Sequence, residues 1–372
     1  MTREFTLRRV LLQPELLLDL PAPELSRVVS QGRVSRLLGA LASEVKRTGL
    51  MPQLDERVRR HLLSALLVAD KQRHDLEYEC KSLQRALADA GQKLVLLKGG
   101  AYIQADLPVG RGRLITDIDI IVPADSIEAA EQSLNAHDWE SSQLDPYDEH
   151  YYRKWSHETP ALVNKKRGTT LDLHHNILPP TAAPNVDASL LFERLREVRP
   201  GVYTLSLQDM VIHSVTHLFH EGEFHHGLRD LWDLDRMLRD FPEREANFWD
   251  GLVPRARELE LETPLFHGLT YTRLVFQTPV PASVMRQADS LPRRLRRPLL
   301  DFLYLRAFRP LQPDCQLPLT SLALNLLYVR SHFLRMPLHL LVPHLVRKAW
   351  MRRAAGRDNK PSAQKEVDAP RV

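Results

Sequence analysis

The chain has 372 residues, 43% of them hydrophobic and 26% charged. That length accommodates two or three domains with substantial cores, and the near-average balance excludes a fibre, a short disulfide scaffold and wholesale disorder. With 51 basic against 47 acidic residues the formal charge is +4, a mild excess that does not by itself point to nucleic acid.

In chain order, MTREFTLRRVLLQPELLLDL carries basic residues ahead of a leucine-rich run, but Glu15 and Asp19 interrupt it and no small-residue cleavage site follows. It reads as an amphipathic helix. The helical pattern continues to about residue 90, with Leu62, Leu63, Leu66, Leu67 and Val68 on a spacing near 3.6. At Gly91 the pattern changes. KLVLL (93–97) predicts a short strand that runs into Lys98, Gly99 and Gly100, and a helix is expected after the glycines. LITDIDIIV (114–122) predicts a second strand, followed by a helix capped at Asp125 or Ser126 and running to about Ala136. EHYYRKWS, TPALVNKK and TTLDLHHNI predict further strands, with Lys166, Arg167 and Gly168 as the hairpin turn between the last two.

Pro179, Pro180 and Pro184 mark a boundary, and from about Ser206 the sequence returns to helices. The expected class is therefore α+β: a helical region over 1–90, a small mixed-sheet core over 91–180, a helical domain over 181–355 and a disordered tail over 356–372. Cys80 and Cys315 lie far apart without partner spacing, so neither a disulfide framework nor a thiolate zinc site is indicated, and a reducing, cytoplasmic compartment is expected. LPLTSLALNLLYV (317–329) falls short of the roughly 18 uncharged apolar residues of a membrane span.

The stretch LITDIDIIV poses the chemical question. In a strand, Asp117 and Asp119 share one face while Ile118, Ile120 and Val122 take the other. Like charges side by side on an otherwise apolar strand cost free energy unless a cation or a set of donors compensates them. Asp172, in TTLDLHH, is a third carboxylate on a nearby strand. Three such aspartates can hold two magnesium ions in the arrangement that in-line phosphoryl chemistry uses. The diglycine Gly99–Gly100 lets backbone N–H groups approach a phosphate; its plain alternative is a strand-to-helix turn.

Together these elements resemble the nucleotidyltransferases of the DNA polymerase beta superfamily. More narrowly, they resemble a bacterial family of uncharacterised nucleotidyltransferases with Leu-Lys-Gly before a helix, Arg-x-x-Ser/Thr-Asp-Ile-Asp, and Asp/Glu-Leu-His. Here those motifs are LLKGGAY (96–102), RLITDID (113–119) and LDLHH (171–175). VIHSVTHLFH, LRDLWDLDRML and SHFLRMPLHLLVPHL extend the likeness over roughly 95–350. The 17 positions between Gly100 and Asp117 exceed the superfamily's usual gap, and ADLPVGRGR is expected to form a loop over the nucleotide.

The resemblance implies an enzyme that moves a nucleoside monophosphate from a nucleoside triphosphate to an acceptor hydroxyl and releases pyrophosphate. Asp117, Asp119 and Asp172 would be its catalytic, metal-binding residues, holding two magnesium ions, with manganese as the substitute. Lys98, Gly99, Gly100, Arg113, Thr116 and His174 would contact the nucleotide. Lys98 and Arg113 are equally readable as salt-bridge partners, and His174 as a structural histidine. His213, His217, His220, His225 and His226 suggest zinc, but without cysteines lining the cleft or capping the core is the preferred reading.

Two other classes stay open. One is an inactive nucleotide- or partner-binding subunit of a biosynthetic assembly. The other is an RNA-binding or RNA-modifying protein that uses Arg293, Arg294, Arg296 and Arg297, or Arg347, Lys348, Arg352 and Arg353, although these clusters lack the interleaved aromatics of a single-strand platform. The apolar helices with a basic end, TSLALNLLYVRSHFLRMPLHLLVPHLVRKAWMRR, read as a packed hairpin broken at Pro337 or as a peripheral membrane contact. Nothing in the sequence sets the acceptor, the base of the triphosphate or the oligomeric state.

Overall fold

A computed structural model describes residues 5–141, 154–220, 222 and 224–341, except for the side chains of 291–296. The N-terminal region is helical as expected: α1 (Thr6–Leu12), α2 (Ala22–Val34), α3 (Leu38–Arg47) and the long α4 (Glu56–Asp89). Asp55 starts α4 by accepting the Arg57 backbone N–H at 2.9 Å, which satisfies a donor the helix cannot.

The sheet follows: β1 (Leu94–Leu96), α5 (Lys98–Gln104), β2 (Ile118–Ile121), α6 (Ile127–Ala136), β3 (Trp139–Ser141), β4 (Leu162–Asn164) and β5 (Thr170–His174). Two more strands come from beyond residue 180, β6 (Arg196–Arg199) and β7 (Val202–Thr204). The seven strands lie in the order β3-β4-β5-β2-β1-β7-β6. β2 pairs in parallel with β5 and antiparallel with β1, and β1 pairs in parallel with β7. The hairpin between β4 and β5 turns at Gly168, whose φ of 72° suits glycine. The central strands β1 and β2 are buried along their whole length, as an interior sheet position requires.

Two expectations change in detail. The strand in LITDIDIIV is shorter, so Asp117 stands in the bend that leads into β2. Lys154 and Trp155 are helical rather than extended, and the preceding part of EHYYRKWS lies outside the described residues. The ADLPVGRGR segment packs against α3. Gly39 and Gly112 meet backbone to backbone there, and a Cβ on Gly112 would come within 2.1 Å of the Gly39 carbonyl oxygen.

Beyond the sheet, a short α7 (Ser189–Phe192) precedes the C-terminal helices: α8 (Leu207–His220), α9 (Gly227–Arg244), α10 (Phe248–Glu258), α11 (Glu262–Phe276), α12 (Ala282–Ala288), α13 (Leu291–Ala307) and α14 (Thr320–Arg335). Ser206 and Asp209 exchange the bonds that begin α8. Phe219, Tyr271, Tyr304 and Phe308 stack across α8, α11 and the end of α13. α14 ends at Arg335, just before Pro337. Leu322, Leu326, Val329 and Phe333 on it are exposed. The basic half of that expected membrane-contact segment, with Arg347, Lys348, Arg352 and Arg353, lies outside the described residues, as does the tail from 356. No described helix is long and apolar enough to cross a membrane. Cys80 and Cys315 are buried free thiols.

Candidate active site

The β2–β5 ladder places Asp119 directly opposite Asp172, so the two carboxylates share one face of the sheet. His174, two positions on, falls on that face as expected and pairs across from Ile121. Asp119 is buried and has two partners on one oxygen: Lys98 Nζ donates to Oδ1 at 2.8 Å, and His174 Nε2 lies 3.2 Å from the same atom. Lys98 reaches it from the start of α5 with a left-handed φ of 45°, a conformation that costs a lysine roughly 1–3 kcal/mol. Burial pushes the Asp119 carboxyl up, but Lys98 and His174 outweigh it and hold it far below the usual carboxylate range.

Asp172 is the opposite case. Burial first, then the carboxylates of Asp119, Glu158 and Asp117, push its pKa up to about 7. A carboxyl held up by three neighbouring carboxylates is one that a divalent cation would stabilise in its charged form, so the aspartates suit an oxygen-seeking ion such as magnesium. Asp117 is partly exposed; its Oδ1 accepts from Thr116 Oγ1 at 3.2 Å, and Thr116 lies 3.5 Å from the guanidinium of Arg36. Asp117 and Thr116 also line a cleft of about 190 Å³ with Gln72, Glu79 and Arg167 from α4 and the β4–β5 turn.

Gly99 and Gly100 are buried in the first turn of α5. A Cβ on Gly99 would approach Ile115 Cγ2 to 2.9 Å, so this glycine lets the loop before β2 close onto the helix. Arg113 does not stand free over a phosphate position. Its Nε lies 2.7 Å from Asp233 and its Nη2 3.9 Å from Asp230, both on α9. The surface salt bridge weighed for it is thus a buried one.

Two groups that the sequence reading missed reach this site. Arg36, from the loop after α2, interacts with Asp117 and Asp230. Its backbone is left-handed, with φ of 53°, and no local pattern announces it. His157 and Glu158 precede β5 in a segment tied to that strand by Thr159 N–H to Leu173 O and His175 N–H to His157 O, both 2.9 Å. The dipeptide His-Glu was the available signal, and only the ladder shows what it faces. His213 of α8 lies in the field of Lys98, His174 and His157, and His217 in that of His157 and His213, so both stand near this site. His220 turns to the Thr216 carbonyl at 3.1 Å. Burial, followed by the charges of its neighbours, holds His213 well below the usual histidine range.

The family model described as "Uncharacterised nucleotidyltransferase" matches residues 21–277, more than half of the chain. The chain belongs to that family. No curated protein and no solved structure gives a match. Membership supports nucleotidyl transfer in general terms, with a nucleotide as substrate, and it spans the sheet, the Asp119–Asp172 ladder and the helices through α11. The last helices, α12 to α14, lie beyond the matched residues.

Proposed function

We propose that the chain transfers a nucleoside monophosphate from a nucleoside triphosphate to an acceptor hydroxyl, with pyrophosphate as the leaving group. One observation carries the reading: Asp119 and Asp172 face each other across a parallel ladder beside the Lys98 ammonium, inside the family-matched core. Asp117, Asp119 and Asp172 would hold magnesium, two ions in the arrangement such transferases use, and manganese would substitute. When bound, the metal would supply charge neutralisation at the α-phosphate and its leaving oxygen. Asp172 would take the acceptor's proton as the acceptor oxygen bonds to the α-phosphorus and the bond to the β-phosphate oxygen breaks. Lys98 would hold Asp119 ionised and in place, and Thr116 would orient Asp117. Gly99 and Gly100 would present backbone N–H groups to the phosphates.

No observation favours an inactive subunit or an RNA-binding protein. The test is equilibrium binding of each of the four ribonucleoside triphosphates, with and without magnesium, to the wild type and to Asp117→Asn and Asp119→Asn. The expected result is one triphosphate that binds only with magnesium and a dependence lost in either variant. Binding indifferent to both metal and substitution would return the inactive-subunit reading. With the bound triphosphate as substrate and water as surrogate acceptor, Asp172→Asn should slow pyrophosphate release about 10²–10⁴-fold.

A further inference from the structure

Beside the aspartates lies a second group of donors with different chemistry. One ligand atom from each of His157, Glu158 and His174 lies within 4.8 Å of the other two. The segment holding His157 and Glu158 runs antiparallel to the end of β5, with Glu158 bridged to His174, so backbone pairing sets the positions of all three. The His157 and His174 rings lie 5.4 Å apart between centroids.

His174 is the informative member. It is 2% exposed, and its two nitrogens are treated differently. Nε2 is 3.2 Å from Asp119 Oδ1, whereas Nδ1 makes no hydrogen bond and faces Glu158 Oε2 at 3.5 Å. If Nε2 carries the only proton, donated to Asp119, the lone pair on Nδ1 points at a carboxylate, and that is repulsive unless Nδ1 is protonated too or a cation lies between them. His157 likewise has a buried Nδ1 without a hydrogen bond. A histidine that donates one ring N–H to a carboxylate and turns its other nitrogen to a metal is the usual second-shell arrangement at metal sites.

We propose that His157, Glu158 and His174 form a site for one zinc ion, separate from the magnesium-type aspartate site and joined to it through the His174–Asp119 hydrogen bond. Two imidazoles and one carboxylate are the ligand set of an open tetrahedral zinc site, whose fourth position is left to water or substrate. The nitrogen donors select against magnesium, which takes oxygen ligands. Donors around zinc stand roughly 3.4 Å apart, so the side chains need to close by about an ångström, within the reach of small rotamer changes. The local charge also fits. Glu158 is a carboxylate outside the magnesium-type site, and its charge facing His174 Nδ1 at 3.5 Å favours a cation there.

The test uses the full chain, stripped with a chelator and titrated with cobalt(II), whose visible d–d absorption reports coordination, in excess magnesium and without nucleotide. One cobalt per chain with a tetrahedral or five-coordinate spectrum, displaced by one zinc, is the expected result. Glu158→Gln and His157→Ala should each weaken binding about 100-fold or more, while His225→Ala, at an exposed histidine elsewhere, should leave it unchanged. Matching far-ultraviolet circular dichroism and melting would establish that the variants fold. No stoichiometric spectrum, or a spectrum equal in all variants, would overturn the site and leave His174 as an imidazolium between two carboxylates. Because no nucleotide is present, this result is independent of whether nucleotidyl transfer is confirmed.

Discussion

Asp119 and Asp172 sit on one rung of a ladder, yet their surroundings drive them in opposite directions. The folded pKa of Asp172, about 7, stands above an unfolded value of about 3.9. Between those values the folded chain binds more protons than the unfolded one, so stability falls as pH rises and the full cost is present above the folded pKa. In chelator at about pH 8, Asp172→Asn should therefore stabilise the protein by about 1–3 kcal/mol in urea denaturation, and the gain should vanish below about pH 4. Asp119→Asn should do the reverse and cost about 1–3 kcal/mol, because Lys98 and His174 lose a charged acceptor. Divalent cations should stabilise the wild type more than the Asp172 variant; an equal effect would remove Asp172 from the metal site. Asp119 and Asp172 were legible in the sequence because acids in an apolar alternating pattern are costly. Arg36 and the His157–Glu158 pair were not, since what they face is set by chain segments far away in sequence.

At the scale of elements, the loop between α5 and β2 is shaped by contact with α3. Gly112 has φ of 69°, and an added Cβ would sit 2.1 Å from the Gly39 carbonyl oxygen, which is backbone and cannot step aside cheaply. Gly112→Ala should lower stability by about 2 kcal/mol or more, measured by thermal or urea melts, and an unchanged midpoint would mean the two backbones separate freely. The glycines here were legible as a loop signal, but not the helix they rest on. The hairpin at Gly168 was legible from turn chemistry, β2 and β5 from their period-two pattern, and β1 from a short β-rich run ended by Lys98 and the glycines. β6 was not, because an edge strand of sequence REVR exposes most of its side chains and has no apolar face to announce it.

Across the whole molecule, Arg113 ties the loop before β2 to α9 through Asp233 and Asp230, and so couples the sheet to the C-terminal helices. Burial, then the Asp230 charge working against Arg113, leaves Asp233 raised to about 6. Arg113→Ala would strand the buried Asp233 carboxylate, while Asp230 keeps Arg229 at 2.7 Å, a loss of about 3–5 kcal/mol while Asp233 is ionised. The cost should be larger at about pH 8 than at about pH 5, where Asp233 can take up a proton. Denaturation of the variant at both pH values checks this, and a pH-independent loss would show that packing rather than charge couples the two parts. The α+β class and its helical flanks could be read from the order of periodic segments. The return of the chain from beyond residue 180 to complete the sheet with β6 and β7 could not, since pairing partners leave no local trace.

The parallel pairing of β2 with β5 also has a consequence in time. A parallel partner cannot follow through a tight turn, so the chain must first complete the excursion through α6, β3 and β4 before β5 can settle beside β2. Contacts that close such large loops pay their entropy early and gain their enthalpy late. The two opposed carboxylates, Asp119 and Asp172, are thus brought together by a long-range contact rather than by neighbours in sequence.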